Sequence, residues 1–70
     1  MPHISVKMYP GRTDKVKEEF AKKIQDLTVE EFGCQPCHVS VSVEDIEPEN
    51  WKEEVVDNIK PEDYIIKPNF

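Results

Sequence analysis

Pro2 directly follows the initiator methionine and opens the run His3-Ile4-Ser5-Val6-Lys7-Met8. Removal of Met1 would leave Pro2 as the N-terminus with a free secondary amine, whereas a proline amide inside a chain has no basicity. Termini fray unless a strand or a docked helix holds them. Here Ile4, Val6 and Met8 alternate with His3, Ser5 and Lys7, the period-two pattern of a half-buried strand. An amine held at the start of such a strand is a base at a defined position, suited to proton transfer. The plainer account of Pro2 is steric, because small residues commonly follow Met1 and proline suits the first position of a strand.

A second cluster, Cys34-Gln35-Pro36-Cys37-His38, invites three other chemistries. C-x-x-C-H is the attachment signature of c-type haem, C-x-P-C resembles a redox pair, and two Cys plus a His could supply three zinc ligands. Haem attachment implies export, and the first residues lack the apolar stretch of a secretory signal. A redox pair belongs ahead of a helix N-terminus, but this cluster follows a helical pattern and precedes a strand pattern. For zinc only His3 remains as a fourth ligand. Two ordinary thiols in a connection are therefore expected, with no metal and no cofactor.

The elements that must position these residues are well punctuated. All six prolines (2, 10, 36, 48, 61 and 68) and both glycines (11 and 33) fall at apparent element boundaries. Pro10-Gly11 reads as a turn after the first strand, and Thr13 or Asp14 can cap a helix. Val16, Phe20, Ile24, Leu27 and Phe32, with Lys, Glu and Gln between them, predict an amphipathic helix of roughly five turns ended by Gly33. His38 to Glu44 alternates cleanly and predicts a second strand. An acidic turn follows from Asp45 to Asn50. Trp51 to Ile59 suits a short helix with Trp51, Val55, Val56 and Ile59 on one side, and Tyr64-Ile65-Ile66 is a last apolar patch.

Composition excludes several partners. The net charge is −6, from nine Lys/Arg and fifteen Asp/Glu. Residues 1–43 balance at six of each sign, so the excess lies wholly in residues 44–70. Phosphate binding needs a basic face, so neither nucleic acid nor an anionic membrane is expected as a partner. No apolar run approaches the roughly 20 residues of a membrane span, and a cytoplasmic protein with reduced thiols is expected. Seventy residues make one domain, spanning 1–70, whose core supplies only about 3–5 kcal/mol without disulfides, metal or self-association.

Strand, long helix, strand is a β-α-β unit, which predicts two parallel strands joined by a right-handed crossover. One helix covers one face of the sheet and leaves its edges free. The other face is expected to be buried from outside the chain. A two-fold homodimer would join two such pairs into a four-stranded sheet.

At this point the sequence resembles the 4-oxalocrotonate tautomerase superfamily in its small β-α-β form. The likeness covers nearly the whole chain. It rests on Pro2 opening a strand, the Gly11-Arg12-Thr13-Asp14 junction, the Val39–Val43 strand and the aromatic Trp51. Met-Pro-His-Ile at the start, Pro-Glu-Asn-Trp in the second half and Lys-Pro near the end look most like the dimeric, phenylpyruvate-tautomerase-like (PptA-type) branch. No single motif is specific; their order and spacing together are.

The resemblance implies an α+β fold, the tautomerase-type β-α-β unit with a short C-terminal helical segment, its sheet completed by dimerisation. It also implies a cofactor-independent isomerase, a keto–enol tautomerase acting on small 2-keto or 2-hydroxy-enol acids such as enol-phenylpyruvate. By that likeness Pro2 is the general base and acid, Arg12 grips the substrate carboxylate, and Trp51 lines the site. The family's second arginine falls where this chain has Ser40, which makes a dicarboxylate substrate doubtful and leaves the donor to the keto oxygen open among Ser40, Trp51 and Lys7. A homodimer is expected, with a hexamer as the alternative. The competing functional account is a non-catalytic dimeric scaffold that keeps the fold without the chemistry.

Overall fold

The computed structural model describes residues 1–69. Strand β1 spans His3–Met8, helix α1 Asp14–Phe32 and strand β2 Ser40–Asp45. The strands pair in parallel, with His3 opposite Ser40 and Met8 opposite Asp45. Two bonds extend the ladder at its ends: Ser40 N–H donates to the Pro2 carbonyl at 3.2 Å, and Ile46 N–H to the Met8 carbonyl at 2.8 Å. The expected β-α-β architecture is therefore present. The second strand begins later than its alternation suggested, because Pro36–His38 forms a 3-10 turn. His38 N–H and Val39 N–H bond back to the carbonyls of Gln35 and Pro36 at 3.0 and 3.1 Å, which withholds them from the sheet.

Local chemistry sets both ends of α1. The Thr13 hydroxyl accepts from Val16 N–H at 3.2 Å, satisfying one of the free donors of the first turn. Gly33 closes the helix at φ 64° and donates its N–H to the Val29 carbonyl at 2.9 Å. A Cβ is disfavoured in that left-handed conformation, so glycine is the natural stop. Gly11, at φ 130°, turns the chain between β1 and α1 on the same principle.

The face that α1 packs differs from the expected one. Lys17, Ala21, Ile24, Gln25, Thr28 and Val29 are the less exposed positions, whereas Val16, Phe20, Leu27 and Phe32 are exposed. Ile24 alone belongs to both the predicted apolar stripe and the packed face. The cause is the narrowness of the sheet. With two strands beneath it, α1 rests mainly over β2, and its small residues lie inward. Lys17 fixes this placement by reaching both carboxylate oxygens of Asp45 at 2.9 Å, and Gln25 donates to the Pro36 carbonyl at 3.1 Å. Val16 and Phe20 then lie beside Val6 and Met8 at the free edge of β1. There Val6, Met8, Arg12, Val16 and Phe20 wall a cavity of about 400 Å³.

The buried core is small. Val39, Ile46 and Val55 are its apolar members among the described residues, joined by Thr28, whose hydroxyl donates to the Ile24 carbonyl at 2.8 Å. The second face of the sheet carries His3, Ser5 and Lys7 beside Ser40, Ser42 and Glu44, all exposed. Near Ser5 and Lys7 the C-terminal segment borders this face with Trp51, Val55, Asn58 and Ile59. Uncovered apolar surface also lies along the β1 edge, where Val16 and Phe20 of α1 are exposed.

After β2 the chain makes a 3-10 turn at Pro48–Asn50, a π-helical turn at Lys52–Val56 and another 3-10 turn at Pro61–Asp63. The expected helix to Ile59 stops early. Asp57 N–H bonds five residues back to the Lys52 carbonyl at 2.8 Å. The Glu54 carbonyl, which an α-helix would offer to the Asn58 backbone, is taken by the Asn58 side chain at 3.0 Å. No helix among the described residues is long and apolar enough to cross a membrane.

Candidate active site

The residues singled out in the sequence separate to the two ends of β1. At its start, Pro2 is half-buried and its carbonyl is held by Ser40 N–H. His3 and Ser40 face each other across the strands, with His3 Nδ1 2.7 Å from Ser40 Oγ and Nε2 3.2 Å from Ser42 Oγ. In a neutral imidazole one ring nitrogen donates and the other accepts. In that form one serine donates its O–H to the ring and the other accepts from the ring N–H. This network was not apparent in the sequence, where His3 stood out only as a reserve zinc ligand.

At the far end of β1 the C-terminal segment folds back to form a groove of about 630 Å³. Its walls are largely apolar, with Tyr9, Trp51, Val55, Ile59 and Tyr64, and Arg12 and Lys7 bring two cations to it. Trp51 meets Tyr9 edge to face, ring centroids 5.0 Å apart at 89°, a geometry that aromatic quadrupoles favour. Trp51 is thus both an anchor of the C-terminal segment and a wall of the groove. Tyr9 was not apparent as a site residue. The signal for it was an aromatic at the end of a strand, immediately before Pro10-Gly11.

Arg12 is exposed in the loop ahead of α1 and forms no ion pair among the described residues. Six strand residues at about 3.3 Å each separate it from Pro2, so roughly 20 Å lies between the two ends. Within one chain Pro2 and Arg12 do not converge. Ser40 belongs to the Pro2 end, whereas Trp51 and Lys7 share the groove with Arg12. The Cys34 and Cys37 thiols are free, half-buried and exposed respectively, on either side of Pro36. Among the described residues no three His, Cys, Asp or Glu side chains gather where they could hold a metal ion.

A chain with this β-α-β frame, an N-terminal proline strand and a cationic aromatic groove can be compared with known proteins. Residues 2–56 match the family described as "Tautomerase enzyme". A "Tautomerase PptA" from Pectobacterium atrosepticum is 37% identical over 71 aligned positions, covering all of this chain and 86% of the relative. One of the same description from Escherichia coli is 30% identical over 73 positions, covering all of this chain and 97% of the relative. A "Probable tautomerase" from Xylella fastidiosa is 36% identical over 55 positions, 79% of this chain and 67% of that protein. The chain belongs to the tautomerase family, within the 4-oxalocrotonate tautomerase superfamily. Its likeness there is to the PptA type, and the activity class that goes with the family is isomerisation by tautomerisation.

Proposed function

We propose that this protein is a keto–enol tautomerase of small 2-keto or 2-hydroxy-enol monoacids, with enol-phenylpyruvate as the representative substrate. Once Met1 is removed, the Pro2 amine carries the proton between the C2 oxygen and C3. Such a base works best when it titrates near the working pH. Arg12 pairs with the carboxylate, a task suited to a guanidinium fork. Tyr9, Trp51 and Tyr64 hold the aryl group and exclude water. Ser40 is the polar contact on the side of the base. The observation that carries this reading is the groove, whose apolar aromatic walls and cationic rim match an arylated monocarboxylate.

The separation of Pro2 from Arg12 makes the working site composite. A substrate of this size does not span roughly 20 Å, which supports a base and an arginine drawn from two copies. The free edge of β1 provides the means. Two β1 strands pairing antiparallel about a two-fold axis bring the start of each beside the end of the other. Pro2 of one copy then adjoins Met8, Tyr9 and the groove of its partner. Val16 and Phe20, which overhang that edge at 48% and 44% exposure, become covered in the same arrangement.

Complementation tests this directly. Pro2→Ala and Arg12→Ala homodimers should each be nearly inactive. A subunit-exchanged equal mixture should recover about a quarter of wild-type activity, because half the dimers are mixed and each mixed dimer holds one intact site. A site made within one chain would recover nothing. Intact mass measurement accompanies the assay, since retained Met1 makes the Pro2 nitrogen an amide and leaves only the dimeric scaffold.

A further inference from the structure

Lys7 has the position, the free donors and the neighbours to act on the substrate oxygen. It lies on the face of β1 turned away from the packed side of α1, three residues before the turn that delivers Arg12. Its ammonium donates to the Glu54 backbone carbonyl at 3.3 Å, in the π-helical turn that floors the groove. An ammonium has three N–H donors, so this bond orients Lys7 and leaves two donors for other partners. The ion pairs among the described residues belong to Lys17, Lys22 and Lys52. Glu44 stands opposite Lys7 in the strand register, yet the two form no such pair. Lys7 and Arg12 are therefore two cations in one largely apolar groove, neither paired with a carboxylate among the described residues.

We propose that Lys7 is a catalytic residue that donates a hydrogen bond to the C2 oxygen of a 2-keto or 2-hydroxy-enol acid whose carboxylate lies on Arg12. The inference rests on the tautomerase reading above. In ketonisation the Pro2 amine takes the enol O–H proton, and the electron pair left on oxygen forms the C2=O bond. The former C2=C3 pair takes the proton back from Pro2 as a new C3–H bond. Between these transfers the C2 oxygen carries negative charge. An ammonium donor oriented by the Glu54 carbonyl stabilises that charge where it develops. Lys7 thus supplies what no arginine supplies at Ser40, and it does so from the groove end of β1.

The test compares Lys7→Met with Lys7→Arg. Loss of a donor to a developing oxyanion lowers kcat by about 10²–10³-fold, so Lys7→Met should fall in that range with KM little changed. Lys7→Arg should recover part of the loss. Two binding probes, read by Trp51 fluorescence, separate this role from structural support of the groove. One is phenylpyruvate, which has the C2 oxygen; the other is 3-phenylpropanoate, which lacks it. Wild type should bind the keto acid more tightly, and Lys7→Met should erase that preference while leaving 3-phenylpropanoate affinity unchanged. Equal weakening of both probes, or full kcat in Lys7→Met, would overturn the proposal. A Pro2→Ala variant with wild-type turnover would instead remove the proline base. In that case the probe pair still decides Lys7, because binding needs no proton transfer.

Discussion

The two ends of β1 hold opposite halves of one chemistry. At the Pro2 end there is a candidate base among exposed polar side chains, with His3 bonded to both Ser40 and Ser42 on an exposed sheet face. At the Met8 end there is an apolar groove with two cations in its walls and no base of its own. On the proposed reading the proton carrier stands at one end and the substrate groove at the other. The strand between them fixes their distance. On that reading a complete site forms only where a second copy reverses the strand direction, and catalysis and assembly become one question.

Removing the base should have the largest effect on this contrast. Pro2→Ala should lower kcat by about 10²–10⁴-fold, the usual worth of a positioned general base. The primary amine of the new N-terminus accounts for a residue of activity. Binding of 3-phenylpropanoate, which uses only the groove, should stay as in wild type by Trp51 fluorescence. Wild-type turnover in Pro2→Ala would remove the open end from the mechanism. A parallel loss of probe binding would show that the two ends do not act separately.

Next in size is the surface that joins the ends. Phe20→Glu places a carboxylate on the flank that a partner's β1 edge would cover. It should weaken dimerisation on the order of 10²-fold, as expected of a buried aromatic anchor. Phe20 is already 44% exposed within one chain, so the helical circular dichroism should persist. Specific activity should become strongly dependent on protein concentration, and light scattering should show the monomer at concentrations where wild type is dimeric. Unchanged mass and activity on dilution would place any interface elsewhere.

What could be read from the sequence follows the range of the physics involved. The ends of α1 were readable because Thr13 and Gly33 act on their own backbone neighbours. The strand alternation was readable for the same reason. The packed face of α1 was not, because periodicity places Val16, Phe20 and Leu27 on one stripe but is silent on how wide a sheet lies beneath it. A two-stranded sheet turns that stripe outward. Tyr9 and Lys7 join Trp51 only after the C-terminal segment folds back, a contact across more than forty residues. The separation of Pro2 from Arg12 was available from arithmetic alone. A strand of known rise lies between them, so on the proposed reading one substrate touching both already implied a second chain.

The smallest effect is expected at Ser40, which sharpens the division between the two ends. Its hydroxyl, 2.7 Å from His3 Nδ1, lies on an exposed face where water can replace it. Its structural contribution is the backbone N–H given to the Pro2 carbonyl, which alanine retains. Ser40→Ala should therefore cost no more than about 0.5–1.5 kcal/mol of stability, the net worth of one hydrogen bond. By thermal unfolding the loss should sit at the low end of that range, because the bond is exposed. If the oxygen donor is Lys7 and Ser40 only touches the substrate from the side of the base, kcat/KM should fall less than about tenfold, one charge-free hydrogen bond's worth. A loss of a hundredfold in Ser40→Ala, with Lys7 intact, would put the oxygen donor at the open end beside Pro2. The groove would then serve binding alone, and the assignment of Lys7 would fail with it.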